Sequence, residues 1–277
     1  MSKINHYFIS GSIGVGKTTY INHLAKLMKN KCTLIREYID YDQEGENMLS
    51  KWHLKEITTF QFQSYIIDCF IKQLENKTSN ILIWERHPLE TIDIFCKQKD
   101  CLTKEEKFIL LKKLKLMMET YKIPQEIEHY RIFYINCFED NHIKRGYDYI
   151  MNYLHFQSNL SLVIYLGIDV FHFSMQIYNI CKRNRMIEKK TYTSQEGMNA
   201  LWKLDFTYHQ YWSLWINKCS KYSTNINESI QLNEMLKKLR IEYQEYTTSY
   251  PNAQVIMSQF NKPKTFFGSG EWWKTQN

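Results

Sequence analysis

The chain has 277 residues, 44% of them hydrophobic, which suits one α/β domain with a sizeable core; no linker-like stretch or repeat divides it, so a single domain over 1–277 is expected. A net charge of +7 is spread among acidic residues without an isolated basic block, which argues against a nucleic-acid partner. Seven scattered cysteines without C-x-x-C spacing argue against zinc or a disulfide frame, and the absence of a leader or a bilayer-length apolar run makes a cytoplasmic protein with no membrane partner the expectation.

The first element is an apolar run, Ile4, Tyr7, Phe8 and Ile9, that reads as a buried strand. Directly after it stands Gly11-Ser12-Ile13-Gly14-Val15-Gly16-Lys17-Thr18-Thr19, which fills the pattern G-x-x-x-x-G-K-[ST]. The glycines let the backbone curl so that successive N–H groups and a helix amino terminus form a concave anion site. Lys17 is placed to reach the β- and γ-phosphates of a nucleoside triphosphate, and the Thr18 hydroxyl to ligate Mg²⁺. Tyr20, Ile21, Leu24, Ala25 and Met28 then recur at helical spacing, so the helix behind this loop packs one face on a sheet.

Residues 32–35 read as a second strand ending at Arg36-Glu37. A carboxylate at the carboxyl end of a parallel strand lies on the ligand side of an open sheet, so Glu37 is either a general base or a surface residue closing the strand. Asp40, Asp42, Glu44 and Glu46 read as a solvated polar loop, and 47–74 as one helix. Inside that helix, Phe60-Gln61-Phe62-Gln63-Ser64-Tyr65 reads by spacing as a core aromatic stripe, with a slot for a flat ring as the rival reading. The strand Ile81–Trp84 leads into Glu85-Arg86-His87-Pro88, whose Glu-Arg pair either sets a metal-directed carboxylate and a guanidinium beside the same polyphosphate or is a solvent ion pair. Thr103 to Glu106 is a capping box opening a helix to about 118, with Ile109, Leu110, Leu114 and Met117 inward. Residues 131–137 and 160–166 both look like strands, the second being favoured for the central sheet. Arg183 and Arg185 lie in a cationic window that is either a lid over the transferring phosphate or a basic helix end. A long helix around 198–215, another at 228–245, a last strand at 253–257 and a tail at 261–277 complete the chain.

Taken in order, these motifs resemble the deoxynucleoside kinase superfamily, and Glu85-Arg86-His87-Pro88 with Lys182 through Glu188 is most similar to the herpesvirus-type thymidine kinases. The similarity covers roughly 4–220. It implies a P-loop kinase fold: a central parallel sheet flanked by helices, with a lid near 179–190. It implies ATP and Mg²⁺ as cofactors, a deoxynucleoside as substrate and a homodimer. By resemblance Glu37 is the base toward the 5′-hydroxyl, Arg86 holds that base, Glu85 assists Mg²⁺ beside Thr18, and Arg183 and Arg185 are the lid arginines. Gln63 pairs with the nucleobase, Phe95 stacks on it, Phe62 lines its pocket, and Glu188 holds the sugar 3′-hydroxyl. Trp52 stands where a sugar-binding tyrosine is usual, Tyr38 and Asp42 replace a proline and a tryptophan, and Asn179 replaces a further lid arginine. Phe70 and Thr91 occupy the positions at which deoxycytidine-preferring members carry Arg and Asp, so thymidine is the expected acceptor. A thymidylate kinase and a degenerate nucleotide-binding homologue are the rival functions.

Overall fold

The computed structural model describes residues 3–97, 101–126, 129–137, 141–155, 160–167, 173–183 and 185–220. The expected helix at 228–245, strand at 253–257 and tail at 261–277 lie outside the described residues. Among the described residues, five parallel strands form one sheet in the order β2-β3-β1-β5-β4: β1 Asn5–Gly11, β2 Thr33–Ile35, β3 Ile81–Glu85, β4 Tyr130–Asn136 and β5 Ser161–Gly167. Every described position of β5 and all but the first of β1 are buried, as strands covered on both faces require. Alternation along the strands divides the core in two. Phe8, Ile35 and Trp84 join one cluster, and Tyr7, Ile9 and Ile83 the other.

The helices follow the strands in turn: α1 Lys17–Leu27, α2 Tyr38–Tyr41, α3 Gly45–His53, α4 Thr59–Glu75, α5 Glu90–Asp93, α6 Lys104–Thr120, α7 His142–His155, α8 Phe173–Lys182, α9 Met186–Tyr192 and α10 Gln195–Ser220. The chain leaves β1 to one side for β2 and β3 and returns to its other side for β5 and β4. The carboxyl ends of β1 and β3 therefore flank a crevice of the kind that binds ligands in open α/β sheets.

Three expectations change. The helix read over 47–74 is two, because Thr58 and Gln61 make a reciprocal capping box that starts α4 afresh (Gln61 N to Thr58 Oγ1 3.1 Å, Thr58 N to Gln61 Oε1 2.9 Å). Both 131–137 and 160–166 enter the sheet, β5 beside β1 and β4 at the edge, and α7 is the crossover that a parallel pair needs. Ile109 is exposed, since the inward stripe of α6 runs through Leu110, Leu114, Met117 and Met118.

Candidate active site

The phosphate loop follows β1 without a break. Gly14 and Gly16 have φ of 84° and 87°, a region that side chains disfavour, and a Cβ on Gly14 would come within 2.9 Å of the Gln176 carbonyl oxygen. Lys17, 3% exposed, donates to the Ser12 carbonyl (2.8 Å) and pairs with Glu37 at 3.4 Å. Burial lowers its pKa to about 8, helped by the charge of Arg86 and opposed by that of Glu37. Thr19 lies exposed in the first turn of α1, whereas Thr18 turns inward, its hydroxyl donating to Glu85 Oε1 at 2.5 Å.

The carboxylates and the guanidinium come from strand ends. Glu37 lies two residues beyond β2, and Glu85 closes β3. Arg86 continues the ladder through its N–H to the Ile9 carbonyl (3.0 Å) and adopts a left-handed φ of 79°, rare outside glycine. Its Nε meets Glu37 Oε1 at 2.5 Å, and its NH1 donates to the Gly11 carbonyl at 2.8 Å, so one guanidinium ties the carboxylate to the phosphate loop. Burial acts to raise the pKa of Glu37, but Arg86 and then Lys17 outweigh it and hold the carboxyl well below its ordinary value. Glu85 is pushed the other way, to about 7, by burial and by the neighbouring charge of Glu37. Its Oε2 is buried with no hydrogen-bond partner among the described residues.

A cavity of about 770 Å³ opens from this cluster, between Ile13 at the phosphate loop and α4. Trp52 and Phe62 stack in it with ring centroids 5.1 Å apart and planes 11° from parallel. The Trp52 N–H is turned to Thr59 Oγ1 (3.3 Å), so what it offers a ligand is its ring. Gln63 is 2% exposed and also lines the cavity, with Oε1 lacking a partner among the described residues. Thr91, Phe70 and Phe95 line it too, and the Arg86 guanidinium lies 5.0 Å over the Phe95 ring. Of the stretch 60–65, Phe62 and Gln63 line the cavity, whereas Phe60 packs against a core cluster and Gln61 caps α4.

Past α8, Arg183 and Arg185 both pair with the buried carboxylate of Glu188, at 3.5 and 3.4 Å. Arg185 also meets Asp40 at 2.6 Å, although Asp40 stays exposed to solvent as its acidic surroundings predict. Asp40 lies in α2, and its other oxygen is 3.4 Å from the Thr18 hydroxyl. Sequence reasoning missed the roles of four further buried residues. Glu90, fully buried in α5, accepts from the His87 N–H (3.0 Å) and from the Tyr208 hydroxyl (2.8 Å), and pairs with Arg86 at 3.4 Å. The Tyr208 hydroxyl in turn accepts from Arg86 NH1. Asp205 and Gln176 meet behind the phosphate loop.

The family model described as deoxynucleoside kinase matches residues 7–149, a span that holds the phosphate loop, Glu37, Gln63, Glu85, Arg86 and Phe95. Among solved structures the chain is similar to that of deoxyadenosine kinase from M. mycoides with bound dATP, at 17% identity and a TM-score of 0.40, with 85% of this chain and 99% of that chain covered. No curated protein sequence matches.

Proposed function

The chain belongs to the deoxynucleoside kinase family of ATP-dependent phosphotransferases, and we propose that it transfers the γ-phosphoryl group of ATP to the 5′-hydroxyl of thymidine or a related pyrimidine deoxynucleoside. The observation that carries this reading is the single cavity joining the phosphate loop, the Glu37–Arg86 pair and the unpartnered Gln63 amide oxygen. A base between Trp52–Phe62 and Phe95 would meet the Gln63 amide edge-on, and its sugar would lie toward Glu37. A neutral Thr91 and an apolar Phe70 beside Gln63 support thymidine over deoxycytidine.

In this reading Lys17 and the loop N–H groups hold the donor phosphates, and Arg183 and Arg185 neutralise charge on the transferring group. Glu37 orients the 5′-hydroxyl and accepts its proton. Its depressed basicity suits a loose transition state, in which the hydroxyl becomes acidic only as the new O–P bond forms. Arg86 fixes Glu37 so that the acceptor oxygen faces the phosphate loop. Thr18 and Glu85 would hold Mg²⁺, with Asp40 next to them. A hydroxyl and one or two carboxylates fit a hard cation that keeps waters and phosphate oxygens as its other ligands, and the orphaned Glu85 Oε2 is a donor awaiting a partner. A cation held there would supply charge neutralisation to the polyphosphate.

Ranking kcat/KM over the four natural deoxynucleosides at saturating ATP tests the substrate claim. Thymidine should lead both purines by about tenfold or more, the discrimination expected where a buried amide has a matching base edge. Purine preference would overturn it.

A further inference from the structure

Four successive carbonyls of the phosphate loop are each claimed by a donor: Gly11 by Arg86 (2.8 Å), Ser12 by Lys17 (2.8 Å), Ile13 by the Gln176 amide (2.6 Å) and Gly14 by the Asn179 amide (3.0 Å). The last two donors sit three residues apart on one face of α8. A trans peptide is planar with its C=O and the following N–H pointing in opposite directions. Holding the Ile13 carbonyl therefore aims the Gly14 N–H away from α8, and holding the Gly14 carbonyl does the same for the Val15 N–H.

The orientation of Gln176 is itself fixed. Its amide nitrogen is 2.6 Å from the Ile13 carbonyl and 3.0 Å from Asp205 Oδ1, two acceptors that use both of its hydrogens. A flipped amide would set its oxygen against the Ile13 carbonyl, which cannot donate. Gln176 is fully buried and Asp205 nearly so, so water does not compete for these bonds. Gly14 completes the fit, since a side chain there would strike the Gln176 carbonyl and Ile180.

We propose that Gln176 and Asn179, with Asp205 orienting the first, are positioning residues that preset the phosphate loop for the triphosphate by drawing two of its carbonyls toward α8. The same helix ends at Lys182, next to Arg183, so the clamp also fixes the start of the arginine-bearing segment relative to the loop. Asn179, where the resemblance has a lid arginine, thus acts on the loop instead of on the phosphate. The inference rests on the phosphate-site reading of the loop and is independent of which nucleoside is the acceptor.

The test is direct binding of ATP and of thymidine, measured separately by calorimetry on the full chain and on Asn179→Leu, Asn179→Asp and Gln176→Leu. Asn179 is half-buried, so its variants keep the question open to test if Gln176→Leu does not fold. Asn179→Leu should weaken ATP about tenfold, the value of one positioned hydrogen bond, with thymidine affinity held within about twofold. Asn179→Asp, the same shape with an acceptor facing the Gly14 carbonyl, should weaken ATP further. That order separates a directional clamp from loss of packing. Unchanged ATP affinity, a parallel loss of ATP and thymidine binding, or Asp tolerated better than Leu would each overturn the proposal. If thymidine binds neither wild type nor variants, the acceptor reading fails while the ATP comparison still decides the clamp.

Discussion

Glu37→Gln removes one charge and almost no volume, which makes it the sharpest perturbation of the site. Arg86 and Lys17 lie 2.5 and 3.4 Å from the same carboxylate oxygen, and all three side chains are largely buried. At an effective dielectric near 20 a unit pair 4 Å apart attracts by about 4 kcal/mol, most of it cancelled by desolvation, and removing one partner of a buried pair costs about 3–5 kcal/mol. Here the stranded cations keep other partners. Arg86 retains Glu90 and the Gly11 carbonyl, and Lys17 retains the Ser12 carbonyl, so the loss should fall to about 2–3 kcal/mol. The pH dependence has a definite sign. The folded-state pKa lies below the ordinary 4.5, so the pair contributes fully above that value and is lost as pH falls through the folded value. Denaturant titrations at neutral and acid pH should show the gap between wild type and variant narrowing toward acid. Turnover should drop on the order of 10²–10⁴-fold, the range for losing a positioned base, with ATP still bound. Turnover within about tenfold of wild type would refute the assignment of Glu37 as base.

Gln63→Leu should lower kcat/KM for thymidine by about 10²-fold at saturating ATP and leave KM for ATP unchanged, since the amide faces the cavity and not the phosphate loop. An unchanged kcat/KM would return that stretch to a purely structural role. Asp205→Asn should flatten the pH dependence of thermal stability. Burial raises the Asp205 pKa from 3.8 to about 7, so the folded state holds that proton more tightly and the group's contribution to stability declines as pH rises across this window. Melting curves between about pH 5 and about pH 8 should show the decline in wild type and its loss in the variant, and equal slopes would contradict it.

Local chemistry makes part of this site legible in the sequence. The phosphate loop, Glu37, Glu85 and Arg86 each stand within two residues of a strand end, and a strand end is marked by an apolar run stopping at a polar residue. The break between α3 and α4 is equally local, written as Thr58 and Gln61, but it sits inside an uninterrupted helical period that outweighs it. The partners that hold the site in place are different. Tyr208 reaches Glu90 across 118 positions and Gln176 reaches Ile13 across 163, and no periodic pattern reports such a meeting. Asp40 is exposed, as its acidic neighbours predict, but its pairing with Arg185, 145 residues away, is not written among them. Gln63 lies between these cases. Its spacing suits the core, and only the resemblance and the cavity point it toward a base.

The most direct test of the account is incubation of the purified chain with ATP labelled on its γ-phosphate, Mg²⁺ and thymidine, with the products separated and identified. Thymidine 5′-monophosphate carrying the label, formed by wild type and lost in Glu37→Gln, is the predicted result. No transfer to any deoxynucleoside, or transfer only to thymidylate, would contradict it.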